Sequence, residues 1–319
     1  MADPLQAFRA AVLSTLGSAP ETIEPGRFHR FATSERRGDS AGWCKIFDDM
    51  RGGVFGCYRQ GITETWVAAD RAVQSIEQRM ALARQMAAAT AERLNAQRQM
   101  WGENAQRITR VWKQTLPLSP DDPVARYLSK RGVRAGCRLP DALRFHPALP
   151  YWHGSERVGI YPAMVAPLTT PEGRVVALHR TYLSQEGNKA DVPSPKKLSG
   201  TAGPLAGACI ALHQPVRGVI GIAEGIETAL AAWQASGVPT VASYCAGNLA
   251  AWQWPASAQR LVIFGDADRA GRDAAQALKA RAVAAWRQCE VLTPAAEGAD
   301  WCDVWVAAEH GPIDGEAAA

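Results

Sequence analysis

The sequence predicts a multidomain chain of mixed α+β and α/β class, and three observations carry that expectation. The last hundred residues alternate apolar, β-branched runs with helical segments. VIGIA, ETALAAWQASG, TVASYC, NLAAW, RLVIFGD, RAGRDAAQALKARAVAAW and CEVLTP read as β-α-β-α-β-α-β. Apolar strands joined through helices imply a mostly parallel sheet covered on both faces. Further upstream, Ala68 to Met100 contains no Gly or Pro and is dominated by Ala, Gln, Arg, Glu and Met, the composition of a long helix or helical pair. Finally, charge is segregated along the 319 residues. From Gln214 to Ala319 there are seven Lys/Arg against twelve Asp/Glu, whereas the residues before them hold 28 against 19. A basic body joined to an acidic C-terminal unit suits a protein that holds a polyanion on one part and metal on the other.

Taken in order, residues 1–66 form the first module. From residue 20 it is rich in Gly, aromatics and Arg, and its short alternating pieces GWCKIF and GGVFGCYR suggest a small antiparallel sheet with tight turns. Residues 67–114 are read as a helical linker, with Gly61 and Gly102 bounding its helix. Residues 115–213 are a mixed α+β unit. It opens with a short helix, PVARYLSKRG, ending at a Gly. Strand-like AMVAPLTT and RVVALHRTYL follow, joined by the turn PEG, and then the polar loop SQEGNKADVPSPKKLSG. Residues 214–319 are the α/β unit.

Composition narrows the function classes. No apolar run approaches the roughly 20 residues of a membrane span, and no basic segment precedes an apolar core at the N-terminus. The expected location is the cytoplasm, with no membrane partner. The seven cysteines, at 44, 57, 137, 209, 245, 289 and 302, are odd in number and never spaced as CxxC. That spacing argues against a disulfide framework and a zinc ribbon, and favours small buried residues.

In an open α/β sheet, ligands gather beyond the carboxyl ends of the strands. Two strands here run into acids: VIGIA into Glu224-Gly225, and RLVIFG into Asp266-Ala267-Asp268. If those strands are neighbours, three carboxylates converge at one edge. Oxygen ligands in that number suit Mg²⁺ or Mn²⁺ and not zinc. Asp300 and Asp303 follow the last strand and reach the same edge in a regular topology. A single Asp at a strand-to-helix junction is often only an N-cap; it is the ordered set that points to a metal site.

These segments, AEGIETALA, SYCAGNLA, VIFGDADRAGRDAA and GADWCDVW, resemble a Toprim domain over roughly residues 216–310. That fold is shared by bacterial primases, topoisomerases and some nucleases. The EGIETAL and DADRAGRDAA forms resemble the DnaG-type primases carried by plasmids and phages. The resemblance implies that Glu224, Asp266 and Asp268 form the catalytic metal site, extended by Asp300 and Asp303. One departure is local: chromosomal primases have an Asp four residues after the motif Glu, where this chain has Thr228. Glu227 stands one position earlier, either as a substitute or facing solvent.

The middle unit resembles the basic subdomain of primases. YLSKRG, GRVVALHRTYL and GNKADVPSPKKLSG give Arg131, Arg180, Lys189, Lys196 and Lys197 as expected nucleotide and template contacts. Cations on a strand and its loop can grip triphosphate oxygens and a template backbone. Arg180 lies on a strand that reads as core, so it is expected to have an anionic partner. The first module occupies the place of the primase zinc ribbon but lacks ligands at usable spacing, with only His29, Cys44 and Cys57 at hand. It is read as a metal-free relative of the ribbon. Phe28, Arg30, Phe31, Arg36, Arg37, Trp43, Phe55, Tyr58 and Arg59 offer it a single-strand-binding surface of rings and cations. For Trp43 and Phe55 the core of a small sheet is an equal alternative.

The resemblance thus implies a primase that makes short RNA primers on single-stranded DNA from ribonucleoside triphosphates, for a mobile element. Two alternatives stand beside it: a Toprim nuclease, and a non-catalytic nucleic-acid-binding accessory of replication or transfer. No GxxxxGK[ST] phosphate loop occurs, so a separate helicase or single-strand-binding protein is the expected partner.

Overall fold

The computed structural model describes residues 3–34, 39–58, 60–68, 76–133 and 139–310. The chain divides into two compact units, Met1–Gln99 with Gly154–Glu156, and Met100–His153 with Arg157–Ala319.

The first unit begins with α1 (Pro4–Leu16), for which the sequence carries signals at both ends. The Asp3 side chain accepts from the Leu5 amide, Pro4 opens the first turn, and Gly17 closes the helix in the left-handed region at φ 71°. Its stripe of Phe8, Val12 and Leu16 is buried on a four-stranded sheet. That sheet is β1 (His29–Phe31), β2 (Gly42–Ile46), β3 (Gly52–Cys57) and β4 (Ile62–Val67), antiparallel in chain order. Alternation along β2 and β3 sends Cys44, Ile46, Phe55 and Cys57 to the α1 side. Gly53 lets α1 come close, because a methyl there would lie 2.6 Å from the Phe8 ring. Trp43, Phe47 and Val54 face the other way and pack on Ala89 of α2 (Ile76–Lys113).

Helix α2 differs from expectation at one end, running through Gly102 to Lys113. A single exposed glycine costs a helix only about 1 kcal/mol, and good helix formers flank this one on both sides. The helix ends where Thr115 turns back on the Trp112 carbonyl, two residues before Pro117.

The second unit holds two sheets. The first is antiparallel, ordered β5-β6-β7-β8-β9: Leu116–Pro117, Arg144–His153, Glu156–Thr169, Val175–Tyr182 and Lys196–Leu198. Helix α3 (Pro123–Lys130) precedes β6, with Asp122 as its N-cap. One face of the sheet carries Leu149, Tyr151, Val165, Leu178 and Tyr182 against Ile108 of α2. The opposite face, with Met164, Ala166, Leu168 and Ala177, packs against Val262 and Phe264 of the second sheet and against Ile226 and Leu230 of a helix that flanks it.

That second sheet is parallel throughout. Its strands are β10 (Val219–Ala223), β11 (Thr240–Ala242), β12 (Arg260–Phe264) and β13 (Gln288–Leu292), ordered β11-β10-β12-β13. Helices α4 (Ile226–Ser236), α5 (Ala246–Ala251) and α6 (Arg269–Ala284) connect them, and α7 (Trp301–His310) follows. The β-α alternation read from the sequence is present in full, with β10 and β12 as neighbours. Among the described residues Cys44, Cys57 and Cys302 are buried thiols, and Cys209, Cys245 and Cys289 are half-buried thiols. No described helix is long and apolar enough to cross a membrane.

Candidate metal and nucleotide site

Register places the acids. Ala223 pairs with Phe264 at the carboxyl end of β10 and β12, so Glu224 and, one step further along its strand, Asp266 leave the sheet at the same edge. The loop after β10 is fixed by the Tyr244 amide, which donates to the Glu224 carbonyl at 2.8 Å. Tyr244 takes the left-handed region at φ 70°, a strained choice for a bulky residue and one that concentrates at functional sites. After β12, Asp268 caps α6 by accepting from the Gly271 amide at 2.6 Å. Position 271 is glycine for want of room: a methyl there would sit 2.7 Å from the Asp266 carbonyl oxygen.

The last acids arrive through a backbone pairing. The Ala267 amide donates to the Ala299 carbonyl, and the Gly298 amide donates to the Ala267 carbonyl. These bonds draw the start of α7 to the strand edge. There Asp300 and Asp303 cap each other's amides reciprocally, and Asp300 lies 3.8 Å from the Arg131 guanidinium.

The electrostatics set Asp266 apart. Burial, then repulsion from Glu224, Asp300, Asp268 and Asp303, pushes its carboxyl up to about 7. Its Oδ1 is buried without a hydrogen-bond partner. Glu224 is also raised, by burial and by Asp268, with Lys196 opposing. An orphaned carboxylate oxygen among like charges is the signature of a place built for a cation. An all-oxygen donor set fits a hard divalent ion. Among the described residues no three His, Cys, Asp or Glu side chains are drawn together as a metal-ligand cluster.

The five cations of the middle unit separate. Arg131, at the C-cap of α3, and Lys196, on β9, line the cleft with Glu224, Asp266 and Asp300. Strand register explains why their neighbours do not: Thr181 pairs with Lys196 and Arg180 with Lys197, so consecutive residues take opposite faces. Arg180 donates to the Leu198 carbonyl and stands 5.9 Å from the Tyr182 ring. Its partner is thus a carbonyl where an anion was expected, and its Nε is buried without a hydrogen bond. Lys197 lies 4.0 Å over the Tyr151 ring and donates to the Trp152 carbonyl. Lys189 is exposed on the turn that bridges back to Leu183.

In the first unit, Trp43 is only 2 % exposed and Phe55 3 %, both within packed cores. Phe28 stacks on Trp43 with an interplanar angle of 10°, and the Arg93 guanidinium lies 5.4 Å over the Trp43 ring. Arg30 stands 4.7 Å over Tyr58 and donates from Nε to the Ser40 carbonyl. The exposed cation and half-covered rings here are therefore Arg30, Phe28 and Tyr58. Arg36, Arg37 and Arg59 lie outside the described residues.

Sequence reasoning left Glu227 undecided and passed over Tyr127, His179 and Tyr244, all lining or bounding the cleft. Glu227 does not face solvent. It is 4 % exposed, accepts from the Tyr127 hydroxyl, and is paired with the Lys196 ammonium at 2.9 Å. A signal for it existed: the first two turns of α4, Ile226 to Ala232, are apolar but for Glu227 and Thr228, and an acid in a buried helix needs a cation.

A family described as a domain of unknown function (DUF7146) matches residues 102–210, and the family described as Toprim domain matches residues 219–310. No curated protein matches the chain. Among solved structures, the DnaG catalytic core is 18% identical with TM-score 0.44, over 66% of this chain and 76% of that one. The RNA polymerase domain of Mycobacterium tuberculosis primase DnaG is 17% identical with TM-score 0.40, over 65% and 79%. The zinc-binding and RNA polymerase domains of the Aquifex aeolicus primase are 13% identical with TM-score 0.39, over 98% and 83%. With Glu224, Asp266 and Asp268 at the carboxyl edge of its parallel sheet, the segment 219–310 is a Toprim domain.

Proposed function

We propose that the chain is a primase, joining ribonucleotides on a single-stranded DNA template. The observation that carries this reading is the cleft itself: Glu224, Asp266 with its unpartnered oxygen, and Asp300 on the Toprim edge share it with two cations, Arg131 and Lys196, from the basic subdomain. A ligand that satisfies both walls brings a divalent cation and a chain of phosphates together, which describes a metal-bound nucleoside triphosphate.

Glu224, Asp266 and Asp268 would hold the metal, with Asp300 and Asp303 behind them. When bound, Mg²⁺ or Mn²⁺ supplies charge neutralisation and polarisation of the phosphoryl oxygens. The protein's own groups do the positioning. Arg131 and Lys196 present fixed donors to phosphate oxygens, where charge builds as pyrophosphate leaves. Glu224, raised by burial and by Asp268, is suited to receive a proton from the attacking 3′-hydroxyl or to serve as a ligand. Arg180, Lys189 and Lys197 lie outside the cleft and are assigned to the template backbone. Arg30, Phe28 and Tyr58 of the first unit, with Arg36, Arg37 and Arg59, are assigned to single-stranded DNA, rings against bases and guanidinium against phosphate.

One observation favours a second reading, a non-catalytic binder of single strands. The position of the fourth acid is Thr228, and Glu227 beside it is already committed to Tyr127 and Lys196. Incubation with single-stranded DNA, ribonucleotides and Mg²⁺ separates the two. Labelled oligoribonucleotides made by the wild type and not by Asp266→Ala establish the primase. DNA binding with no synthesis, unchanged by the substitution, establishes the binder, and metal-dependent cutting of the DNA would point to a nuclease.

A further inference from the structure

Glu227 sits in the first turn of α4, three residues after Glu224, on the helix that leaves the acidic edge. Both its oxygens are occupied. Oε1 accepts from the Tyr127 hydroxyl of α3 and contacts the Lys196 ammonium at 2.9 Å, and Oε2 accepts from the same ammonium at 3.0 Å. A metal ligand turns its oxygens to the ion, and both oxygens of this carboxylate are turned to two donors from the neighbouring sheet and helix. Burial would raise its carboxyl, but Lys196 and Tyr127 outweigh burial and hold it well below the usual carboxylate range. The charge is therefore fixed, and so is the lysine it attracts.

Lys196 is the unusual partner. Its side chain keeps 39% exposure while Glu227 keeps 5%. An ammonium carries three protons; the bond to Glu227 Oε2 uses one and the Oε1 contact at most a second, which leaves at least one for the cleft. Lys196 also acts on Glu224, lowering it against burial. The adjacent Lys197 is turned to the other face of the sheet, so its charge does not substitute. His179, beside this pair, is buried, and burial pulls its imidazole down to about 4. It therefore adds no competing positive charge.

We propose that Glu227 is a positioning residue: it anchors the Lys196 ammonium as a subsite for the phosphate chain of a nucleoside triphosphate and does not replace the missing metal-binding acid. The assignment rests on the nucleotidyl-transfer reading of the cleft, which it deepens. It also gives the Tyr127 hydroxyl a task, since that donor keeps the Glu227 carboxylate turned toward β9. Thr228 then needs no compensation in kind, because the charge next to it serves a cation from the protein itself.

The test measures two affinities on the full chain, for Mn²⁺ alone and for a non-hydrolysable ribonucleoside triphosphate, with melting temperature as a check on folding. Glu227→Gln and Lys196→Met are each expected to weaken triphosphate binding roughly tenfold or more, with no loss of Mn²⁺ affinity. Either single change leaves a polar group short of its partner, so both should melt earlier. The double variant leaves no buried unpaired charge; it should recover melting temperature and still bind triphosphate no better than Lys196→Met. Tyr127→Phe should give a smaller loss of the same kind. Loss of Mn²⁺ binding in Glu227→Gln would overturn the assignment in favour of a metal ligand. Unchanged triphosphate affinity in a folded double variant would overturn it in favour of a structural ion pair. Neither result would touch the polymerase reading, which stands or falls on synthesis by the wild type against Asp266→Ala.

Discussion

The antiparallel module and the carboxyl edge of the parallel sheet treat their charged side chains differently. In the antiparallel module, cations are matched at home: Lys45 with Glu92 at 2.6 Å, Arg93 with the Trp43 ring, Arg30 with Tyr58 and the Ser40 carbonyl. At the carboxyl edge of the parallel sheet, Asp266 is left with an unpartnered oxygen among four further acids. The first arrangement stabilises a fold; the second crowds like charges together and costs stability in the absence of a counter-ion. The sequence offered both regions as functional surfaces; burial of Trp43 and Phe55 removes two rings from the first, while the unpartnered oxygen of Asp266 stays with the second.

The sharpest way to break the comparison is at Trp43. If it belongs to the core, Trp43→Ala should destabilise the first unit by about 3–5 kcal/mol, read by denaturant unfolding. Stability near wild type, with lost affinity for single strands, would make Trp43 an exposed stacking platform instead.

The acidic edge should behave the other way round, since removing one of its charges should help the fold. Between pH of about 4 and about 7 the native Asp266 holds a proton that the unfolded chain has released. Stability of the metal-free protein should therefore fall as pH rises through that window. Asp266→Asn removes the effect, so its melting temperature should exceed wild type by a few degrees at neutral pH and converge with it toward pH 4. Mg²⁺ should raise the melting temperature of the wild type near pH 7.5, less at pH 5 where protons compete, and not that of the variant. A variant no more stable than wild type at neutral pH would mean the acids are compensated.

A smaller effect is expected at Arg30. Arg30→Ala should weaken single-stranded DNA uniformly across sequences and reduce the salt slope by about 1, measured by anisotropy titration at several salt concentrations. An unchanged slope would leave Arg30 to its intramolecular partners. Smallest of all, Gly102→Ala should stabilise α2 by roughly 0.5–1 kcal/mol, because nothing lies within 4 Å of the added methyl. No gain would indicate that the glycine serves some other purpose.

What was legible in the sequence follows from how local each signal is. The parallel sheet showed itself because apolar strands and helices differ in period, and Glu224 and Asp266 because strand ends are local features. Helix α2 was legible in its middle but not at its end, since one glycine is weaker than the sum of its neighbours. The α1 signals at Asp3, Pro4 and Gly17 were equally local and went unread. Glu227 could not be resolved: its partners lie 31 and 100 residues away in sequence, and only the docking of two sheets brings them together. The division of Lys196 from Lys197, and of His179 from Arg180, likewise needed strand register, where a shift of one residue exchanges the faces.

The central claim is that the acids at the end of β10 and β12 serve ribonucleotide polymerisation. The most direct measurement incubates the full chain with single-stranded DNA, Mg²⁺ or Mn²⁺ and labelled ribonucleotides, beside Asp266→Asn, with products resolved by length. The account predicts short oligoribonucleotides from the wild type, falling by about 10³-fold or more in the variant, while the variant stays folded. Equal product from both proteins, or none from a wild type that binds DNA and Mn²⁺, would contradict it.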